Sequence, residues 1–167
     1  MKQWGNLMSN PVIWLLGIAL TSSALCDTPV VFPDNKKFAE LGGRDFLVES
    51  SIPGDFKTPE GVVAAILFLG DQVQGKELSA PFSPAMLKGS SHFEGAKPLG
   101  SYFRGARIDG TTFIVAFDDD AMRYLNNTAA IQQMVKGALE ATILKNFPKM
   151  ETVAYEIDGE IVSGWDA

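Results

Sequence analysis

The stretch Thr111-Thr-Phe-Ile-Val-Ala-Phe117 decides the fold, because it predicts one strand with apolar side chains on both faces. Every second residue from Phe113 to Phe117 would share one face, and Ile114 and Ala116 would share the other. A strand that is apolar on both faces is typical of the centre of a sheet. The sequence therefore predicts a central strand here.

The flanking residues extend this strand into a hairpin, a helix and a final strand. Asp109-Gly110 is a strong hairpin signal, and residues 99–108 before it are β-prone. Downstream, residues 129–146 carry an apolar stripe at helical spacing, which Pro148 ends. Residues 152–157 then alternate as a strand, and Asp158-Gly159 with residues 160–162 indicates another hairpin or the end of the strand.

The first half of the chain predicts two strands and one helix. Residues 28–32 predict an edge strand that the turn-forming Pro33-Asp34-Asn35 ends. Residues 45–52 predict a second strand. Thr58-Pro59-Glu60 is a typical helix start, and the apolar residues 62–69 would bury that helix on more than one side.

The order strand, strand, helix, hairpin, helix, strand favours an α+β fold. Both helices have apolar faces that need a sheet, so we expect a two-layer sandwich. Its mixed or antiparallel sheet would have about four to five strands, with the two main helices on one face. Residues 27–167 would form this single domain.

A long segment separates the first helix from the hairpin. Residues 71–98 are rich in Gly, Ser and Pro, with one helical turn predicted at 83–87. Loops of this length are uncommon unless they are functional or mobile. This segment is therefore a candidate functional loop.

The first 26 residues have the pattern of an export signal. Lys2 gives a cationic start, residues 12–20 are apolar, and small residues follow up to Cys26. The apolar run is shorter than the ~20 residues that a membrane span needs. We therefore expect the remaining chain to work outside the cytoplasm.

Cys26, the only cysteine, leaves two processing routes open. It is a candidate lipid-attachment site of a bacterial lipoprotein, although Leu25 is larger than the residue that usually precedes such a cysteine. Ordinary cleavage after Ala24 or after Cys26 is the other route, and without cleavage the segment would remain as an anchor. One cysteine also excludes an internal disulfide, so the domain depends on its hydrophobic core.

The charge of the chain argues against nucleic acid as a partner. Its net charge is −6, and every acidic residue lies after Cys26. Binding of phosphates needs a basic stripe, whereas the basic residues here are scattered among acidic ones. We interpret the acidic surface as a source of solubility.

The order of elements and several local strings resemble the GerMN domain of bacterial sporulation and spore germination proteins. In the first half these strings are Val30-Val-Phe-Pro-Asp34, Phe46 to Pro53 and the helix Pro59 to Leu69. In the second half they are Gly110 to Phe117, the helix ending at Phe147-Pro148, and Val153 to Gly159. The resemblance covers nearly all of residues 27–167.

The chain departs from the GerMN pattern at three places. Ser50-Ser51 stands where the family has an arginine, Gly70-Asp71 replaces a Gly-Pro, and Asp118-Asp119-Asp120 replaces an acid followed by serine. The resemblance implies a non-catalytic envelope protein, often a lipoprotein, that acts as an interaction or assembly module. Its expected partners are envelope proteins or further copies of the chain.

Two groups of residues are candidates for metal binding or for hydrolysis. Asp118 to Asp120 offer carboxylates to a hard cation, although adjacent side chains point in different directions. His92 lies in the long segment beside serines, as a hydrolase would require, but without a nucleophile elbow. We interpret the three acids as a solvated strand-to-helix loop and His92 as an exposed loop residue. No catalytic, cofactor or metal residue is therefore predicted.

Three functions follow from these observations. The first is a non-enzymatic, exported envelope module with a possible lipid anchor at Cys26. The second is a small secreted hydrolase or metal-dependent enzyme that uses residues 71–98. The third is a periplasmic carrier with a small apolar pocket. The aromatic residues Tyr102, Tyr155 and Trp165 would either close the core or form a binding face.

Overall fold

A computed structural model describes residues 27–41, 45–70, 78–84, 87 and 93–162 of the chain. Its strands are β1 (Thr28–Pro33), β2 (Leu47–Ile52), β3 (Phe103–Asp109), β4 (Thr112–Phe117), β5 (Thr152–Ile157) and β6 (Glu160–Ile161). Its α-helices are α1 (Asn35–Leu41), α2 (Pro59–Leu69), α3 (Met122–Leu125) and α4 (Ala129–Asn146). Within these described ranges no helix combines the length and apolar character that a bilayer crossing needs.

The strands form two sheets, so the predicted α+β content is confirmed while the single expected sheet is not. Strands β1 and β2 pair as an antiparallel ribbon. The other sheet has the order β3-β4-β5-β6. Its β4–β5 pair is parallel, so the chain needs a crossover between them, and that crossover contains α4.

Strand β4 is the central strand that the sequence predicts. It lies between β3 and β5, and Phe113, Val115 and Phe117 are almost fully buried. On the opposite face, Arg107 of β3 and Glu156 of β5 form an ion pair of 2.5 Å. The register places this pair diagonally across β4.

Helix α4 occupies the edge of β1 where a further strand would otherwise pair. Thr142 is fully buried, and its Oγ1 accepts a hydrogen bond from the Val31 N–H at 2.8 Å. The same hydroxyl lies 3.3 Å from the Val31 carbonyl oxygen, to which it donates. Asn146 Nδ2 donates to the Pro29 carbonyl at 2.7 Å. Because helix side chains satisfy this edge, the β1–β2 ribbon ends there.

Several described residues of the 71–98 segment pack into the core. Phe82, Leu87 and Phe93 are buried, each no more than 6% exposed. The Ser79 N–H donates to the Pro33 carbonyl at 3.1 Å, and an isolated bridge pairs Asp34 with Leu78. These contacts fasten the described residues 78–79 to β1, so this part of the segment is packed rather than a free loop, and the functional role of residues 71–98 stays a hypothesis.

Two short helices stand where the sequence predicts other structure. Asp34 begins α1 rather than a simple turn, because its Oδ1 accepts from the Lys37 N–H at 2.9 Å. Residues 99–102, predicted as strand, form a 3₁₀ helix instead. Pro98 precedes this turn, and its carbonyl accepts from the Ser101 N–H at 2.9 Å. Strand β3 therefore begins only at Phe103.

Candidate functional site

A groove lies between the first half of α4 and the residues that lead into β2. Its volume is about 430 Å³. We call it the α4 groove, and its lining residues are Phe46, Leu47, Gln132, Gln133, Lys136, Gly137 and Glu140. The groove is widely open to solvent, so it is a surface depression and not an enclosed small-molecule pocket.

The helical period explains how α4 can form both the core and the groove. Gln132, Lys136 and Glu140 are spaced by four residues, so they lie on one face of the helix. The core face is formed by the buried residues Val135, Ala138, Leu139, Thr142 and Ile143. Because the buried face packs into the core, the face with Gln132, Lys136 and Glu140 is directed toward the groove.

Gly137 brings the helix backbone close to the start of β2. A Cβ atom at this position would lie 3.5 Å from Leu47 Cδ1, an ordinary van der Waals distance. Leu47 therefore packs over the helix at the point where no side chain intervenes. This contact gives the α4 groove an apolar patch at Leu47.

We expect Gly137→Ala to raise the free energy of unfolding by about 0.5–1 kcal/mol, because alanine loses less backbone entropy in a helix. The matched comparison is Gly61→Ala in α2, whose new Cβ would lie 2.8 Å from Thr58 Oγ1. That oxygen caps α2 by accepting from the Gly61 N–H at 3.0 Å. Urea unfolding should show stabilisation at position 137 and destabilisation at 61. Equal effects would contradict the described packing.

Three ionisable side chains meet at the wall of the α4 groove. Tyr155 of β5 is 2% exposed, and its hydroxyl donates to Glu140 Oε1 at 3.1 Å. Lys136 Nζ lies 5.5 Å from the centroid of the Tyr155 ring, within cation–π range. The cluster thus joins one positive, one negative and one neutral group at the boundary between core and groove.

Burial shifts the protonation equilibria of all three groups. It raises the pKa of Glu140, an effect that the positive charge of Lys136 and the Tyr155 hydrogen bond oppose. It lowers the pKa of Lys136, against the opposing charge of Glu140. It also raises the pKa of Tyr155 well above its ordinary value. Desolvation therefore disfavours the charged form of each member.

We expect Glu140→Gln to change how stability depends on pH. The folded-state pKa of Glu140 lies above its ordinary value of 4.5. Its stabilising contribution is therefore complete below that value and is lost as pH rises through the folded-state pKa. Lys136 and Tyr155 are the ionisable side chains that act on the pKa of Glu140. Urea unfolding from about pH 4 to 7 should show the native chain losing stability relative to the variant. Parallel curves would contradict this.

Two acids of the triplet pair with arginines, while Asp119 and Asp120 are exposed to solvent as the sequence predicts. Both carboxylate oxygens of Asp118 accept hydrogen bonds from the Arg104 guanidinium. Asp120 Oδ1 lies 3.7 Å from Arg123 Nε. Across the described ranges, no group of three His, Cys, Asp or Glu residues has a geometry that could hold a metal ion. The arrangement thus links β3 and the short α3 to the end of β4.

The other sequence candidates fall into two groups. Tyr102 and Tyr155 are buried and belong to the core, which is one of the two roles expected for them. His92, Cys26 and Trp165 lie outside the described residues. The α4 groove itself was missed by sequence reasoning. Its one signal was the four-residue spacing of Gln132, Lys136 and Glu140 on a predicted helix.

A second, smaller cavity lies at the opposite end of α4. Its volume is about 280 Å³, and it lies between Thr28, Phe56 and Asn146. The ion pair between Lys57 and Asp55, at 2.7 Å, lies at its rim. The two cavities thus mark the two ends of the longest described helix.

Comparisons with protein-family models, with curated proteins and with solved structures find no match to this chain. The resemblance to GerMN domains therefore depends on the order and spacing of its strings alone. The fold and the α4 groove are argued from their own geometry.

Proposed function

We propose that this chain is a non-enzymatic, exported module of a bacterial cell envelope, similar to GerMN domains, that binds protein partners. The observation that carries the proposal is the segment Met1–Cys26, whose cationic start, apolar run and small-residue end are typical of export signals. The chain acts after export, either released or anchored by lipid at Cys26. Its partners are envelope proteins, which can include further copies of itself.

The position of β1 supports a boundary between the export signal and the folded domain near Cys26. Thr28 is 2% exposed, and its Oγ1 donates to the Gly54 carbonyl at 2.6 Å. The same oxygen accepts from the Phe56 N–H at 2.9 Å. Thr28 is therefore held in place by residues 54 and 56, only two positions after Cys26.

The same position gives the lipid-anchored form a defined orientation. Only Asp27 separates Cys26 from the buried Thr28, so an acyl group on Cys26 would hold this end of the domain at the membrane. Asn146, at the end of α4, bonds to Pro29 beside it. Gln133 lies roughly 20 Å along the helix from Asn146, because each residue rises 1.5 Å. The α4 groove would thus lie away from the membrane.

The two-layer arrangement forms part of the proposal. Helices α2 and α4 contact each other, while α4 packs along β1 and α2 along β3. These contacts support one layer of two main helices against a layer of strands. In this arrangement the polar face of α4 lies at the rim of the domain, where a partner can reach it.

We expect export to depend on the apolar run. Leu16→Arg should leave the full-length chain in the cytoplasm, because a charge in that run opposes membrane insertion. Ser9→Arg, the matched control, adds the same charge before the run and should be exported. Cell fractionation with intact mass measurement checks both: the exported chain should lack residues up to Ala24 or Cys26, or carry lipid at Cys26. An unprocessed native chain in the cytoplasm would refute export.

A further inference from the structure

We propose that the outer edge of β2, formed by Leu47, Glu49 and Ser51, binds an extended segment of a partner protein as an additional strand. The inference rests on the proposed function, because it names the way in which the module would hold a partner. The unpaired backbone of β2, the closure of the other strand edges and the position of Glu49 support it.

The hydrogen bonds of the β1–β2 ribbon show which residues of β2 face outward. The Asp34 N–H donates to the Phe46 carbonyl at 2.8 Å, so these two opposed residues are a bonded pair. In an antiparallel ribbon, bonded pairs recur at every second residue. The residues of β2 that bond to β1 are therefore Val48, Ser50 and Ile52. The three residues of the outer edge direct their N–H and C=O groups away from β1.

Strand β1 supports this alternation from its other side. Thr142 bonds to both backbone groups of Val31, which lies opposite Glu49 in the register. Residues of a non-bonded pair direct their backbone groups in opposite directions, so those of Glu49 face away from α4. In the part of the chain that the structure describes, no other group hydrogen-bonds to the backbone of the outer edge. Such an unpaired row is a template for a further strand.

The other strand edges are less suited to an added strand. Strand β1 is closed by side chains of α4 and by the Ser79 N–H, which donates to the Pro33 carbonyl. Strand β3 has an irregular register between Phe103 and Gly105, and α2 packs along it. Strand β6 has two residues. Strand β2 keeps an unbroken register over six residues and contains no proline, so it offers a regular edge.

An extended polypeptide is the ligand whose groups match this edge. The unpaired donors and acceptors recur at every second residue, about 6.6 Å apart, which is also the repeat of a second strand. Main-chain hydrogen bonds would therefore supply the affinity, as in other complexes in which a peptide extends a sheet. Leu47 also lines the α4 groove, so a strand on this edge would begin or end beside the groove.

Glu49 argues against a second copy of this chain as the occupant. A two-fold axis that pairs the whole outer edge with itself places Glu49 opposite Glu49 of the copy. Like charges directly opposite each other destabilise a strand pair. Lys145 Nζ lies 2.6 Å from Glu49 Oε1, but it approaches from α4 on the far side of β1, so it would not separate the two carboxylates. A strand of another protein with an uncharged residue opposite Glu49 avoids this cost.

The test is amide hydrogen exchange of the chain as recovered from cells, followed by two-dimensional ¹H–¹⁵N NMR. In the free chain the three outer-edge amides should exchange quickly, and those of Val48 and Ser50 slowly. The probe is a blocked heptapeptide that alternates threonine and valine between two terminal lysines. At millimolar concentration it should slow exchange at the outer edge by roughly threefold or more and leave Val48 and Ser50 unchanged.

Two controls distinguish strand pairing from other contacts. The same peptide with N-methylated backbone amides keeps its charge but cannot donate hydrogen bonds, so it should give no protection. Ser51→Pro removes one outward N–H that β1 does not use, and it should keep the fold and weaken binding of the unmodified peptide by roughly fivefold or more. Ser51→Ala keeps that N–H and should bind like the native chain.

Four results would overturn the inference. These are no protection by the unmodified peptide, equal protection by the N-methylated peptide, outer-edge amides that are already as slow as Val48 in the dilute free chain, and protection that grows with chain concentration alone. The last result would assign the edge to a second copy. If Ser51→Pro is unfolded, the N-methylated peptide decides the question. The mass measurement of export is independent of this experiment, so a failure of either one is distinguishable from a failure of the other.

Discussion

Phe82→Ala is expected to lower the free energy of unfolding by about 3–5 kcal/mol, the usual effect of removing a buried aromatic ring. Phe82 is 2% exposed and its ring centroid lies 6.0 Å from that of Phe32 in β1. Its carbonyl also accepts from the Leu99 N–H at 2.7 Å. The substitution would leave a cavity between the 71–98 segment and β1, which urea unfolding measures directly.

Phe68→Ala is the matched control for this prediction. Phe68 is 60% exposed on α2, so loss of its ring should cost well under half as much as loss of Phe82. If Phe82→Ala and Phe68→Ala had equally small effects, the segment would not be part of the core. The described part of the segment would then be a free loop.

Thr142→Val should destabilise the chain by about 1–3 kcal/mol for each of the two backbone groups that it orphans. Valine keeps the shape of threonine, but it can neither accept from the Val31 N–H nor donate to the Val31 carbonyl. Both groups lie in the buried contact between β1 and α4, where the structure describes no other partner for them. Urea unfolding should show the loss, and hydrogen exchange at Val31 should accelerate.

Thr142→Ser separates the contribution of the hydroxyl to stability from that of the methyl group. Serine keeps both hydrogen bonds and loses one buried methyl, for which about 0.8 kcal/mol is expected. A serine variant that is as unstable as the valine variant would show that packing, and not the hydroxyl, joins α4 to β1. Near-native stability of the valine variant would contradict the edge described for β1.

Local sequence patterns were sufficient to predict the central elements of the fold. The alternation around Phe113 identified β4, and the stripe of residues 129–146 identified α4 with its bounds. Thr58 and Pro59 marked the start of α2, where Thr58 accepts the expected capping hydrogen bond. These signals are strong because each depends on residues that are near one another in the chain.

The features that sequence reasoning missed depend on long-range contacts. No local pattern shows that Thr142 will meet Val31, 111 residues away, and thereby end the first sheet. The burial of Phe82 likewise depends on β1, so a segment rich in Gly, Ser and Pro resembled a free loop. Asp34 could equally have marked a turn or capped a helix, and contacts such as that of Phe38 with Phe46 favour the helix.

The candidate site illustrates the same limit. The sequence places Gln132, Lys136 and Glu140 on one face of a predicted helix, but it does not place Phe46 or Tyr155 beside them. Asp118 and Asp120 suggested a metal site because no sequence pattern shows that arginines pair with them. Arg104 lies 14 residues before Asp118 and meets it only through the β3–β4 hairpin.

We propose that the chain is an exported module that binds protein partners, with the α4 groove as the candidate site. Site-specific photo-crosslinking in intact cells tests it most directly, with the photoreactive residue at Gln133 and, as control, at the exposed Lys57. We predict that position 133 forms a discrete crosslink to an envelope protein and that position 57 does not. Equal crosslinking at both positions, or crosslinks from position 133 to cytoplasmic proteins alone, would contradict the claim.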